Sequence, residues 1–578
     1  CVRARGVRKR GRDLVEGHFV VCMVHMATQA AAERAAVEME PLKGEGDAGD
    51  DSPRSSGTPH KQLPPLKPAY KLDMVALSVL VLLGIWWGPW GEMQLDGLPI
   101  PAARRTLGML MCVSTLWATE AVPLYITSLL IPLLTVMSGS LLPPSVDCKA
   151  GDTVCLTKRY TPYPPGVAAK EVCGQFFDPT VLLFMAGFSI GSVLEKQRIS
   201  NLIASLLLRP FGNKPENVLL GVMSLGCFLS MWISNVPSSV LCVSISLPII
   251  HQLPAGDPYA KALLLGIAFS NNIGGMTTPI ASPQNVIAFA ACEQVGCGLT
   301  FTSWMMFSLP FCGLLLLATW ALLRYRYPPQ MHVLRLTDLT RDQPSLKGSQ
   351  IMALSITVGT VVAWALWKPL QLEPLFGSMG VVGLVPVILF FSTGLLERED
   401  FEKGLNWTVL VLIGGGLALG HVMERSYLLH IASSSIVTAL SGAGLWTFMG
   451  AFALLMAIVA NFISSTVAAI IIIPVVAQVG KRLAMPRAMV VASVIMDSAA
   501  MGLPVSSFPN ANSFGVKRAA AAEDDEEAAR VVEKGKKAIP GNGGSVLEVR
   551  DYMVTGGMVT AMALVECMSL GYTMLILS

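Results

Sequence analysis

Charge is what this sequence has least of. Asp, Glu, Lys and Arg make up 14% of its 578 residues, where a soluble domain carries roughly a quarter. Long apolar runs account for the shortfall, so the chain reads as a polytopic membrane protein. A net charge of +3 is too small to hold a nucleic acid, and no nucleic-acid partner is expected. The sequence also lacks a Walker A pattern, a His-Glu-x-x-His pair and clustered metal-ligating cysteines, which excludes the commonest nucleotide and zinc enzymes. No cofactor is expected.

Two stretches lack apolar periodicity. Residues 1–72 mix Ala, Glu, Asp, Pro, Ser and Lys and read as a disordered cytoplasmic tail. The segment at about 517–545 strings Ala519–Ala522 before Glu523–Glu527 and then Lys534, Lys536 and Lys537. It reads as a charged cytoplasmic insert, solvated and partly helical. Residues 73–578 form the membrane domain.

Candidate spans lie near 73–90, 105–119, 120–139, 179–194, 303–323, 350–369, 375–392, 408–423, 443–459 and 551–576. Four more apolar runs, at 217–250, 262–292, 460–480 and 487–513, are interrupted by polar residues. The expected fold is all-α, with about 11 transmembrane segments. Lys196, Arg198, Arg209, Lys214, Arg324, Arg326, Arg398 and Lys403 fall on one side of these spans, which the positive-inside rule assigns to the cytoplasm. Cys148, Cys155, Cys173, Cys292 and Cys297 fall on the other, where disulfides are permitted. The sequence leaves their pairing open.

The chain resembles itself at an offset of 225–229. Thr180-Val181-Leu182 recurs as Thr408-Val409-Leu410, and Ser234-Asn235 with Ser238-Ser239 recurs as Ala460-Asn461 with Ser464-Ser465. Pro248 recurs as Pro474, and Pro279, Ser282 and Asn285 recur as Pro504, Ser507 and Asn510. Counting crossings gives the two copies, about 105–325 and 350–578, opposite topologies. Inverted repeats with broken helices are a secondary-transporter pattern, with the site between the halves near the midplane.

The interruptions carry the chemistry. Trp232–Ser239 and Val459–Thr466 read as tips of re-entrant hairpins, each presenting the N-terminus of a following half-helix. Such an end binds an anion through backbone N–H groups. Ser270–Asn285 and Gly502–Asn510 cannot be continuous helices, and unwinding frees carbonyl oxygens for a hard cation. One cation site per half, tip against broken helix, is the natural reading. No Lys or Arg sits at these four places, so recognition rests on dipoles, hydroxyls and amides. Packing and capping alone would explain any one of these features, but less easily four in matched pairs.

Three other features invite other readings. Gly187-Phe188-Ser189-Ile190-Gly191 matches a hydrolase elbow, yet it lies in a span and also forms a Gly-x-x-x-Gly packing face. His421 reads as a packing residue. Asp497 lies inside an apolar run without an acidic counterpart and is a candidate proton or cation group.

The run Leu116-Trp117-Ala118-Thr119-Glu120-Ala121-Val122-Pro123 and the two hairpin-plus-broken-helix units resemble the divalent anion:sodium symporter family over roughly residues 73–578. Ser234-Asn235-Val236-Pro237-Ser238-Ser239-Val240-Leu241-Cys242, Asn272–Met276 and Ser282-Pro283-Gln284-Asn285 resemble its low-affinity phosphate transporter branch, whose fungal members occupy plasma or vacuolar membranes. The dicarboxylate branch carries Ser-Asn-Thr at both tips. Here the tips are Ser234-Asn235-Val236 and Ala460-Asn461-Phe462, which favours phosphate. The resemblance implies an elevator-type homodimer in a lipid bilayer that carries inorganic phosphate with sodium, with the plasma membrane as first choice. The fungal relatives often carry an N-terminal phosphate-sensing domain, which residues 1–72 do not resemble.

The resemblance gives both tip asparagines to the anion and one sodium to each half. The candidate substrate-binding residues are Ser234, Asn235, Val236, Asn461, Phe462, Ser464, Ser465, Ser282 and Ser507. The candidate sodium-binding residues are Ser234, Asn235, Gly274, Thr278, Asn285, Ala460, Asn461, Ser506 and Asn510. The alternatives are a di- or tricarboxylate carrier, an intramembrane serine hydrolase at Ser189, and a phosphate receptor without transport.

Overall fold

Proline at the first helical turn with a small polar residue before it starts three helices, after Asp178, Ser282 and Ser507. Asp178 accepts a hydrogen bond from the Thr180 backbone (2.8 Å) ahead of Pro179, and Thr300 and Ser303 close a reciprocal capping box. The computed structural model describes residues 72–571 except 89–92, 96–97, 145–159, 234, 252, 255–256, 332–333, 335–346, 368, 440–441, 443, 520–537 and 541–545. Most of the expected tail, most of the charged insert, and Ser234 lie outside the described residues.

The order is α1 (Leu72–Trp87), β1 (Gln94–Leu95), β2 (Leu98–Pro99), α2 (Pro101–Thr119), α3 (Leu124–Ser138), α4 (Pro165–Gly174), α5 (Pro179–Lys196), α6 (Ile199–Leu208), α7 (Pro215–Trp232), α8 (Asn235–His251), α9 (Tyr259–Thr277), α10 (Pro283–Val295) and α11 (Phe301–Arg326). Then come α12 (Gly348–Ala365), α13 (Met379–Ser392), α14 (Trp407–Arg425), α15 (Leu428–Ala439), α16 (Leu445–Phe462), α17 (Ser465–Arg482), α18 (Pro486–Ser498) and α19 (Phe508–Phe514). Short strands β3 (Lys517–Ala519) and β4 (Ala538–Pro540) precede α20 (Val549–Ser569).

Among the described residues, seven helices are long and apolar enough to cross a membrane. Two of the seven, α16 and α17, follow one another across the short tip Ile463–Ser464. Length alone therefore does not count crossings. The insert differs from expectation at its edges. Lys517–Ala519 and Ala538–Pro540 pair as parallel strands because flanking backbone that leaves a helix must satisfy its N–H and C=O groups elsewhere.

The packing repeats itself. α5 packs on α13, and α14 packs on α3. α7 packs on α9, as α16 does on α18. α8 also meets α19, and α17 meets α10. Close backbone approaches need glycine at two of these seams. A Cβ on Gly380 would overlap the carbonyl of Pro179 at α5–α13, and one on Gly274 would overlap the Cys227 backbone at α7–α9. The elbow-like Ser189 is fully buried and donates to Ala186 O of its own helix (2.8 Å), while Gly187 lies against Ile280. This is helix packing.

Candidate functional site

α7 ends at Trp232, α8 begins at Asn235, and the two helices pack on each other. The Asn235 amide Nδ2 donates to Ser282 Oγ (3.1 Å), and its Oδ1 faces the Ser230 hydroxyl, which also donates to Asn271 O (2.7 Å). Ser282 is the residue before α10. The first tip is thus tied directly to the first unwound segment.

That segment is shorter than the sequence suggests. α9 continues to Thr277, so Ser270–Thr277 is helical and only 278–282 is unwound. Asn272, Gly274 and Gly275 are accommodated in the helix because packing against α7 and α8 rewards it. Thr278 Oγ1 donates to Met231 O (2.9 Å) beside the tip. Asn285 Nδ2 donates to Gly275 O (2.7 Å) and Thr278 O (2.8 Å). The Gly274 carbonyl accepts from Thr277 Oγ1 (2.6 Å).

The second half repeats the pattern with different atoms. Asn461 closes α16, its Nδ2 donates to Ala457 O (2.6 Å), and its Oδ1 accepts from Gly502 N (2.7 Å). The unwound segment is longer here, 499–507, since α18 stops at Ser498. Asn510 Nδ2 donates to Leu503 O and to Ser506 Oγ (both 3.0 Å). Asn285 and Asn510 therefore each reach back seven residues to hold one carbonyl of an unwound segment. Ser507 caps α19 through Asn510 N (3.4 Å). Ser464 precedes α17 without capping it through its side chain, which leaves N–H groups at the start of α17 without that partner. Ala460 is fully buried, and Phe462 is 72% exposed.

An amide Nδ2 has two hydrogens, and each tip asparagine commits one of them to the protein. No hydrogen bond joins Asn235 to Asn461 among the described residues. The two candidate units are linked instead by Gln284 Nε2 to Ser498 Oγ (2.8 Å), Asn272 Nδ2 to Asn510 Oδ1 (2.9 Å) and Asn512 Nδ2 to Ser239 Oγ (2.8 Å), and of these six residues only Asn510 is a candidate from the sequence. Tyr552 OH adds a bond to Asn510 O (2.9 Å). Their signal was present, since each is a polar residue inside an apolar run, but nothing in the sequence paired them.

A cavity of about 470 Å³ opens beside the first tip. Ile233, Val236 and Pro237 form one wall, with Gly191 and Glu195 of α5 and residues 402–408 opposite. It takes in Val236 of the candidate substrate residues. Lys403 at its rim is held above the ordinary lysine range by its hydrogen bond to Glu399, so it stays a cation there. Toward the other end of α14, His421 is not merely packed. Its Nε2 lies 3.0 Å from Glu171 Oε1, which Arg425 also meets at 3.2 Å. Cys292 and Cys297 are disulfide-bonded, and Cys173 is free.

One consequence is local. Thr278→Val keeps the shape but leaves Met231 O without its donor, which costs about 1–3 kcal/mol. Thermal unfolding of the purified variant should show a lower melting temperature, and an unchanged one would remove this bond from the account.

Apolar helices whose polar groups gather at two matched interruptions describe an integral membrane transporter and not an enzyme. The chain belongs to the citrate transporter family, whose model matches residues 114–511. It is 38% identical over 409 residues to a transporter of Schizosaccharomyces pombe, covering 70% of this chain and 45% of that protein. It is 35% identical over 453 residues to the inorganic phosphate transporter PHO87 of Saccharomyces cerevisiae, covering 78% and 46%. To the low-affinity phosphate transporter PHO90 of the same yeast it is 33% identical over 447 residues, covering 77% and 47%. The chain spans about half the length of the curated relatives it matches.

Proposed function

We propose that this chain carries inorganic phosphate across a membrane by cation-coupled symport, with sodium as the coupling ion. The observation that carries the reading is the twin arrangement: Asn235 on Ser282 and Asn461 on Gly502 N, each beside carbonyls held by Asn285 or Asn510. A tetrahedral oxyanion meets amide and hydroxyl donors there, and oxygen-rich unwound backbone suits a hard cation. The names of two relatives, both phosphate transporters, support the substrate.

On this reading α7–α8 and α16–α17 are re-entrant hairpins, α9–α10 and α18–α19 are broken helices, and the halves run in opposite directions. The cavity at the first tip opens beside the Arg398–Lys403 loop, assigned to the cytoplasm, and so corresponds to an inward-open state. The Cys292–Cys297 disulfide falls on the outer side, where oxidation is permitted. A homodimer moving by an elevator step, in the plasma membrane or else a vacuolar membrane, completes the proposal.

Energetics require the coupling. One negative charge moved inward against −100 mV costs about 2.3 kcal/mol, and doubly charged phosphate about twice that. At least two cations must travel for electroneutrality. In proteoliposomes an inward sodium gradient should drive phosphate uptake well above potassium and choline controls. Uptake no greater than in empty vesicles under every gradient would end the proposal. The family's description favours one second reading, a tricarboxylate substrate. Citrate that competes with phosphate more strongly than phosphate itself would select it.

A further inference from the structure

Asp497 closes the last turn of α18 at 1% exposure, and neither carboxylate oxygen has a hydrogen-bond partner among the described residues. An ionised carboxylate left so inside a membrane protein is costly. Protonation removes the cost.

The internal repeat says what the proton would do. At the offset of 225 that relates Thr278 to Leu503 and Asn285 to Asn510, Asp497 stands where Asn272 stands in the first half. Asn272 donates across the halves to Asn510 Oδ1 (2.9 Å). A carboxyl group can fill that donor role only when it carries its proton. Next to it, Ser498 already joins the halves through Gln284.

No neighbouring charge substitutes for the proton. Arg487 on α18 lies ten residues earlier, about 15 Å along the helix. Lys261 of α9, Lys481 and Arg482 of α17, and Glu293 of α10 occupy terminal turns remote from the breaks. α16 contributes no charged residue. α20 contributes Arg550, which is exposed in its first turn, Asp551, which pairs with Lys261, and also Tyr552, Glu566 and Cys567. Cys567 sits by Ala492, more than a turn before Asp497. The apolar cluster where α16, α17 and the segment after α18 meet is built from Ala460, Ala468 and Ala500, and it brings no charged group.

We propose that Asp497 is a proton-binding site of the second half, and that one proton travels with the substrate in each cycle. This rests on the symport reading above. Hydronium on the loading side gives its proton to an Asp497 oxygen and leaves as water. The protonated carboxyl donates across the halves, which lets the loaded form move. On the unloading side water takes the proton back, and the carboxylate is regenerated.

Two arms test it on the full chain in liposomes. Dicyclohexylcarbodiimide adds to protonated carboxyl groups in apolar surroundings, with no leaving group. Peptide mapping should find the adduct at 497 near neutral pH, declining as pH rises. It should be absent from Asp497→Asn and retained in Glu566→Gln. In the flux arm, an inward pH gradient of one unit should raise phosphate accumulation about tenfold in the unmodified protein and leave Asp497→Asn without that response. An unlabelled Asp497 at every pH, labelling governed by sodium and not by pH, or a normal pH-gradient response in Asp497→Asn would each overturn the proposal. Should the unmodified protein move no phosphate at all, the symport reading fails by itself, and the labelling arm still decides whether Asp497 binds a proton.

Discussion

Asn235→Ala and Asn461→Ala should each lower phosphate uptake by about ten- to a hundredfold while the protein still reaches the membrane. Each substitution removes an amide donor to a charged ligand, worth roughly 1.5–3 kcal/mol. Each also orphans a protein group: the Ser282 hydroxyl loses its donor in the first case, and the Gly502 N–H loses its acceptor in the second. An orphaned group adds about 1–3 kcal/mol. The ligand contribution alone is roughly one to two decades in rate or affinity, and the orphaned group lowers the stability of the fold in addition. Transport assays with surface-quantified protein separate this effect from lost expression. Normal transport by either variant would remove that asparagine from the site.

Two adjacent glycines should fail in different ways. Gly274→Ala should leave little folded protein, because its Cβ would overlap the backbone of Cys227 and two packed helices would have to separate. Gly275→Ala meets side chains instead: Ser282 Oγ at 2.5 Å and the Asn235 amide at 2.6 Å. Those can turn aside, so this variant should fold and yet lose uptake, since the atoms displaced are the ones that join the tip to the broken helix. Gly313→Ala, with open space around its Cβ, is the control and should be neutral. Fluorescence-detected size-exclusion of detergent extracts reads the folded fraction. A monodisperse, abundant Gly274→Ala protein would show that α7 and α9 do not pack as described, and its residual sodium dependence would then bear on a ligand role for the Gly274 carbonyl.

Much of this was legible in the sequence, for a physical reason. Asn and Pro are rare in apolar runs because each is expensive there, so matched occurrences such as Ser282 with Ser507 and Asn285 with Asn510 carry information. The helix breaks between α16 and α17 and between α9 and α10 followed from the same rarity. The lengths of the breaks were not legible. Gly274-Gly275 suggested unwinding, yet α9 runs through them because close packing on α7 outweighs glycine's weak helix propensity. On the other side, Ala499 to Met501 look helical and are unwound, where Thr560 accepts from Met501 N and donates to Ala499 O. Partners distant in sequence, such as Asn272 with Asn510 and His421 with Glu171, depend on how the halves dock, which no local pattern encodes.

Equilibrium binding of radiolabelled phosphate to the purified protein, with sodium and without it, bears most directly on a site built jointly by the two halves. Saturable binding that requires the cation, and that disappears in both Asn235→Ala and Asn461→Ala, is the expected result. Undiminished binding in either variant would mean that one half alone holds the anion, and the two-half site would have to be given up.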